Sequence, residues 1–325
     1  MPPRSPLPRR HGLDAAWVRT PDRGRGEWPT MGEWLRDRLP ERVEVGAMLA
    51  EGRFVYDDLR PVGEGDRYTP HTFVWFHREL RDEPVVPGEL HVVHQDERLV
   101  VVDKPAFLAT IPRGKHVQQS VVVRLREELG LPELSPLHRL DRVTSGLVML
   151  ATERRWRGPH QLLFERRQVH KTYRALAPYR PDLQLPATVR NHLRKEPGVW
   201  QGEVVPGAPV NAETLVQLES RLEGDGRDGR DGGDGGDGEL AIYRLTPRTG
   251  RTHQLRLHLL GLGIPIVDDP LYPEVGDMLV DDFRRPLQLL ACELAFTDPV
   301  DGLPRSFETV RRLPLAPAAA TGSVG

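Results

Sequence analysis

A single cysteine, Cys292, stands in a chain of 325 residues, so neither an internal disulfide framework nor a zinc site built on several cysteines is available. No run of about 18 apolar residues occurs, which excludes a membrane-spanning helix. The first ten residues are rich in proline and arginine rather than apolar, so no secretory leader is expected and a cytoplasmic protein is the expectation. Lysine is scarce, 4 residues against 41 arginines, which makes arginine the carrier of almost all positive charge. The hydrophobic share of 38% includes Val- and Leu-rich stretches that can bury a sizeable core, so disorder throughout is excluded. One large domain with a small companion is expected at this length.

A net charge of −2 looks unfavourable for a nucleic-acid partner, but the average hides its distribution. Glu223 to Glu239 holds seven acids and two arginines, a local charge of −5, and leaves the remainder at +3. His138 to Arg174 carries nine basic residues against three acids, and Arg244 to His258 carries four arginines, two histidines and no acid. Two such clusters fit a phosphate footprint. An arginine-rich composition would scatter similar clusters anywhere, so charge alone does not decide for RNA. The Gly/Asp tract itself reads as a flexible loop between two strands. Calcium-binding repeats of Gly and Asp need an apolar residue in each repeat, and none is present, so no metal is expected there.

Along the chain, residues 1–26 read as a flexible tail and 27–83 as a small domain. Thr30 caps a helix carrying Met31, Trp34, Leu35 and Leu39, which Pro40 stops, and a second short helix holds Val45, Met48 and Leu49. Strands are expected at 53–56 and 67–76, joined through the turn-rich 61–66. A linker at 84–88 leads to a larger domain, 88–315, with 316–325 as a second tail. Its opening, His91 to Pro105, reads as a hairpin around the polar QDER. A helix follows on Val121, Val122, Leu125 and Leu129, with Gly130 ending it. Strands are expected at 147–151, 169–177, 213–219 and 239–245, and a helix is expected to begin after Pro159, because proline is poorly tolerated in a helix interior.

Two segments carry chemistry. In LHRLDRVTSGLVMLA (137–151), a turn holding His138, Arg139, Asp141 and Arg142 runs through Gly146 into an apolar strand. A carboxylate so placed can serve as nucleophile or base, with the flanking arginines as counter-charges. A structural Arg–Asp pair in a turn would look the same. In RTGRTHQLRLHLLGLGIPIVDDPLY (248–272), Arg251, His253, Gln254 and Arg256 cluster at the first turns of a helix whose apolar face is Leu255, Leu259 and Leu262. Such donors bind phosphate or pair with a carboxylate, and a solvated helix start is the plainer alternative.

Taken together and in order, VVDKP (101–105), HRLDRVTSGL (138–147), VHKTYRALA (169–177) and TGRTHQLRLHLLGLGIPIVDDPLY (249–272) resemble the RluA-type family of RNA pseudouridine synthases. The resemblance covers residues 91 to about 312. It implies the pseudouridine synthase fold, α+β with a mixed, largely antiparallel sheet and a central cleft, beside a small N-terminal α/β domain. It also implies an isomerase that converts uridine to pseudouridine in structured rRNA or tRNA, needs no cofactor and no metal, and works as a monomer away from membranes. Asp141 matches the family's catalytic aspartate, and Arg139 the arginine that fills the place of the flipped nucleotide. Tyr173 matches the tyrosine that packs on the flipped base and assists proton removal. Arg256 matches the arginine paired with the aspartate, and Leu255 the aliphatic wall beside it. Lys171, Arg251 and His253 fall in the same blocks as substrate-binding candidates.

The chain departs from the family's pattern where Phe107 and Asp268 replace the usual glycines, where Ile264 and Ala291 occupy positions often held by histidine, and where Pro159 interrupts a helical segment. The 27–83 segment more weakly resembles the alpha-L RNA-binding motif, and could equally be a structural appendage. An RNA-binding or RNA-folding factor without catalysis on the same fold is the rival reading. Retention of the aspartate, tyrosine and arginine together speaks against it. A hydrolase of the glycosidase kind would need a second carboxylate acid and would not explain the arginine clusters.

Overall fold

The computed structural model describes residues 4–10, 12–22, 28–222, 239–276 and 281–315. The chain divides into two compact units between Asp82 and Glu83. The Gly/Asp loop and the C-terminal tail expected from the sequence lie outside the described residues.

The first unit contains β1 (Ala16–Arg19), α1 (Met31–Arg38), α2 (Val45–Ala50) and β2 (Phe73–Phe76). Thr30 caps α1 by accepting from the Glu33 N–H at 3.2 Å, and Met31, Trp34 and Leu35 fall on one buried face at helical spacing. They pack with Val45, Met48, Phe54 and Val74. Two expectations fail here. The N-terminal segment is not a tail throughout, because Ala16–Arg19 pairs antiparallel with Phe73–Phe76. The strands expected at 53–56 and 67–76 shrink to β2 and isolated bridges at Val55 and Arg67. Pro61 and Pro70 lack the N–H that a continued ladder requires, so pairing stops at single bridges.

The second unit begins with β3 (His91–Gln95), β4 (Leu99–Lys104), α3 (Val121–Glu128), β5 (Ser135–Pro136), β6 (Ser145–Ala151) and α4 (Arg154–Glu165). It continues through β7 (His170–Pro178), β8 (Ala187–Asn191), β9 (Leu193–Arg194), β10 (Glu203–Val204), β11 (Ala212–Leu222) and β12 (Leu240–Pro247). It closes with α5 (Gln254–Gly261), β13 (Leu289–Thr297) and β14 (Pro304–Glu308). The main sheet runs β3-β4-β6-β13-β7-β12-β11-β8, and every pairing in it is antiparallel except β6 with β13. A mixed, largely antiparallel sheet with few helices is the α+β architecture expected. Strands β4 and β6 are buried along their whole length, as continuous apolar runs covered on both faces should be.

The β6–β13 junction sets the position of the chemical turn. β13 pairs with β6 only at Leu290 and Ala291 before giving the same edge to β14. Gly146 makes that approach possible: its φ is +109°, and a Cβ there would lie 2.2 Å from the Ala291 carbonyl oxygen. Only glycine fits, and the turn 137–144 is thereby held at the centre of the sheet.

The helix expected to start after Pro159 starts at Arg154, with Pro159 inside it. Pro159 is the sixth of the twelve helical residues, where it removes one interior hydrogen bond, and the burial of His160 and Leu163 holds the turn that follows. The positions where the family usually has glycine also gain an explanation. Phe107 and Asp268 both sit at positive φ, 67° and 57°, a conformation that glycine adopts without penalty.

Candidate active site

Asp141 follows buried Leu140 in the turn ahead of β6. The Thr110 hydroxyl fixes that turn, donating to the Leu140 carbonyl at 2.8 Å and accepting the Leu140 N–H at 3.2 Å. The Asp141 side chain is 34% exposed and accepts no hydrogen bond from the described residues. Two side chains from the first turn of α5 face it. Arg256 Nη1 lies 3.6 Å and His253 Nε2 3.9 Å from the same oxygen, Asp141 Oδ2.

Arg256 is almost wholly buried, and its fork is taken by a different carboxylate. Nε donates to Asp269 Oδ2 at 2.7 Å, and Nη2 donates to Asp269 Oδ1. Arg256 meets the Asp141 that the resemblance paired it with as a loose ion pair at 3.6 Å, while its hydrogen bonds go to Asp269. Asp269 is itself held by the N–H groups of Leu271, at 2.9 Å, and Tyr272, at 3.2 Å. Burial works against the charge on Arg256, but the hydrogen bonds and charge of Asp269, with Asp141 after them, outweigh it and raise its pKa.

His253 sits at φ 58°, where the chain turns into α5. Its Nδ1 lies 2.9 Å from the Tyr272 hydroxyl, which also accepts the Gly202 N–H at 2.6 Å. The hydroxyl also lies 3.4 Å from the Gly202 carbonyl, a second acceptor for its proton, and the Nε2 side of the histidine ring faces Asp141. Burial pulls the His253 pKa down, Asp141 pushes it up and Arg256 adds to the depression, so the net direction is down. The ring is therefore neutral at neutral pH.

Gln254 explains how the TGRTHQ turn reaches this pose. Its Oε1 accepts from the Thr249 hydroxyl at 2.8 Å and from the Arg251 N–H at 3.0 Å, and its Nε2 donates to the Glu213 carbonyl and the Thr214 hydroxyl. All its capacity is spent on positioning. Leu255 is buried in the same apolar cluster as Tyr173, which β7 delivers from the centre of the sheet. Burial, and then the negative charge of Asp141, raises the Tyr173 pKa, so it stays a phenol.

Lys171 and Tyr173, alternate residues on one face of β7, line a narrow gap with His138, Leu147 and Ala291. Burial lowers the Lys171 pKa, and the ammonium has no acidic partner among the described residues. His138 accepts the Met149 N–H on Nε2 at 3.1 Å and stacks on Phe164, and burial lowers its pKa to about 3. Arg139 and Arg251 stand apart from the ion-pair cluster on the surface. Arg139 makes no hydrogen bond among the described residues, and the Arg251 side chain donates only to the Asn211 carbonyl, at 3.2 Å.

Three residues at this site carried no role in the sequence reading. Lys104, fully buried, donates to the carbonyls of Pro105, Leu108 and Arg142, so it ties the chain after β4 to the turn holding Asp141. Burial drives its pKa well below the ordinary lysine range, opposed chiefly by the charge of Asp141. Asp269 and Tyr272 complete the set. All three lie inside motifs visible in the sequence, but their spacing signals nothing about which carboxylate the arginine takes. Among the described residues there is no group of His, Cys, Asp and Glu that could hold a metal, and no helix long and apolar enough to cross a membrane.

Residues 98–260 match the family model described as RNA pseudouridylate synthase. An uncharacterised RNA pseudouridine synthase of Synechocystis sp. is 30% identical over 243 residues, 74% of this chain and 76% of that protein. The dual-specificity RNA pseudouridine synthase RluA of Vibrio parahaemolyticus is 32% identical over 221 residues, 64% of this chain and 78% of that protein. Among solved structures, human RNA pseudouridylate synthase domain containing 1 superposes with a TM-score of 0.53 at 24% identity, over 71% of this chain and 86% of that one, which bears on the fold alone. The chain belongs to the RNA pseudouridylate synthase family, in its RluA-type branch, and is an isomerase that converts uridine to pseudouridine in RNA.

Proposed function

We propose that Asp141 is the catalytic nucleophile and that the substrates are specific uridines in structured rRNA or tRNA. The reaction breaks the bond between the ribose C1′ and uracil N1, turns the detached base, and joins C1′ to C5. The proton lost from C5 is balanced by one gained at N1, so no oxidant, reductant or energy source is consumed. The Asp141 carboxylate bonds to, or neutralises, the electron-poor C1′ while the base turns, as a carboxylate does in glycosidases.

The observation that carries this reading is the convergence on Asp141 Oδ2 of a buried arginine and a histidine ring nitrogen, at 3.6 and 3.9 Å, with no hydrogen bond to the carboxylate among the described residues. Its lone pairs stay free for the sugar carbon. Tyr173 and Leu255 supply the aromatic and aliphatic walls for the loose uracil. A phenol held protonated favours a packing role for Tyr173 over that of a base. Arg139, exposed in the same turn, is suited to fill the gap left when the nucleotide flips, which offsets part of an extrusion cost of a few kcal/mol.

The test is pseudouridine mapping on mixed rRNA and tRNA from cells lacking the gene, incubated with the parent or with Asp141→Asn. The dual specificity in the Vibrio relative's name is a reason to use mixed RNA. The amide keeps the size of the carboxylate but not its charge, so modification should vanish while RNA affinity stays within a few-fold. An Asn variant as active as the parent would refute the assignment of Asp141. A parent that binds RNA and modifies none of it would favour the binding-factor reading.

A further inference from the structure

Beside the Asp141 cluster lies an open groove of about 310 Å³ that no proposed catalytic group occupies. The short ladder of β9 with β10 pairs Leu193 with Val204 and Arg194 with Glu203, and the chain between them returns at Gly202 against helix α5. Leu257, Leu260 and Gly261 of that helix form one wall, and Gly202, Val204 and Tyr272 another. At the tip of the same hairpin Trp200 is 66% exposed beside Val199 at 50%, so the hairpin presents an apolar patch next to the groove.

We propose that this groove binds a second nucleotide of the same RNA, one flanking the target uridine, as an unstacked base. This rests on the family's RNA substrate and extends the site beyond the uridine itself. Three features favour RNA over another occupant. The walls are mainly apolar, with Gln201 and Glu203 as their polar members and Glu203 tied to Arg194, and the volume admits a nucleobase and its sugar, the surface that a base displaced from its stack needs. Trp200 offers the aromatic face on which single-stranded bases stack whatever their sequence. In the same hairpin Arg194 is taken by Glu196 and Glu203, while Lys195 has no carboxylate partner among the described residues and donates only to the Glu196 carbonyl, which leaves its charge for a phosphate.

The groove is also joined to the reacting carboxylate. Tyr272 forms its wall, takes the Gly202 N–H at 2.6 Å and meets His253 Nδ1 at 2.9 Å. The other face of that histidine lies 3.9 Å from Asp141 Oδ2. A nucleotide seated against Gly202 and Tyr272 is thus placed to flank a uridine held at Asp141.

Gly261→Phe and Trp200→Ala test the proposal. A Cβ on Gly261 meets nothing within 4 Å, so a ring there fills the groove without displacing backbone. Neither residue belongs to the Asp141 cluster. With mixed rRNA and tRNA from cells lacking the gene as probe, each variant should raise both Kd and KM about tenfold, at the lower end of what loss of one stacking aromatic gives. The kcat and the melting temperature should stay near the parent's. Unchanged Kd and KM in both variants would overturn the proposal, as would loss of a co-purifying protein with RNA affinity intact. If the parent forms no pseudouridine, the activity reading fails while the Kd comparison still decides on the groove.

Discussion

Arg256 is bound to Asp269 and only faces Asp141: its Nε is 2.7 Å from Asp269 Oδ2, while its Nη1 is 3.6 Å from Asp141 Oδ2. The difference matters for chemistry. A carboxylate locked in a two-pronged pair with arginine would have its lone pairs occupied, whereas one held in the field of an arginine already paired elsewhere keeps them available. Asp269 fixes the guanidinium, and the guanidinium in turn sets the electrostatic environment of Asp141.

Asp269→Asn should therefore damage both stability and rate. It leaves a buried guanidinium without its ionic partner, a loss of about 3 kcal/mol for a broken buried pair. The guanidinium is then free to swing onto Asp141, and kcat should fall about a hundredfold, as misplacement of about 1 Å can produce. Denaturant unfolding and pseudouridine formation at saturating RNA check the two parts. A variant with parental kcat would show that Asp269 does not position the site.

Acid should unfold the protein partly through His258. Its Nε2 donates to Asn191 Oδ1 at 3.0 Å, and its Nδ1 is buried with no partner, so a second ring proton would find no acceptor. Burial pulls its pKa to about 4 from 6.5. The unfolded chain takes up this proton first, so the contribution is fully present above pH 6.5 and is lost as pH falls towards 4. The loss is on the order of 3 kcal/mol. In His258→Gln the unfolding free energy should change less between pH 7 and pH 4.5 than in the parent. An equal slope would exclude His258.

Phe107 and Asp268, the two positive-φ residues at positions where the family usually has glycine, should respond differently to Gly. Phe107 buries its ring against Phe283, at 5.5 Å between centroids, with Arg142 5.7 Å from its own centroid. Phe107→Gly relieves about 1 kcal/mol of backbone strain but forfeits about 3 kcal/mol or more of ring burial, so it should destabilise by about 2 kcal/mol. Asp268 is half-buried and of a residue type that tolerates this conformation, so Asp268→Gly should stay within about 0.5 kcal/mol of the parent. Thermal unfolding of both variants distinguishes the cases.

RNA affinity should fall steeply with salt, and Arg139→Ala and Arg251→Ala should each flatten the dependence of log affinity on log salt by about 0.7 if each neutralises one phosphate of a single strand. Binding of mixed rRNA and tRNA between about 50 and 200 mM salt measures this. Parental slopes in both variants would remove these arginines from the footprint.

The sequence by itself determined much of the larger unit, though it gave no strand for β8, β13 or β14. Alternation along 169–177 and the apolar runs of 99–104 and 145–151 specify strands through burial, and the glycine in TSGL is required where β6 meets β13. Local chemistry also marked Asp141, His253 and Arg256 as polar groups in turns beside apolar segments. It missed β1, whose partner lies 54 residues or more away in the chain, and it misplaced the start of α4, because packing of His160 and Leu163 overrides one proline. Tertiary structure alone decided that Arg256 takes Asp269 and leaves Asp141 open, and that Lys104 braces the turn from beneath. Those choices depend on which carboxylate or carbonyl is nearest once segments far apart in the chain are packed together, and at 2.7 against 3.6 Å they are settled by differences of about an ångström that no residue pattern encodes.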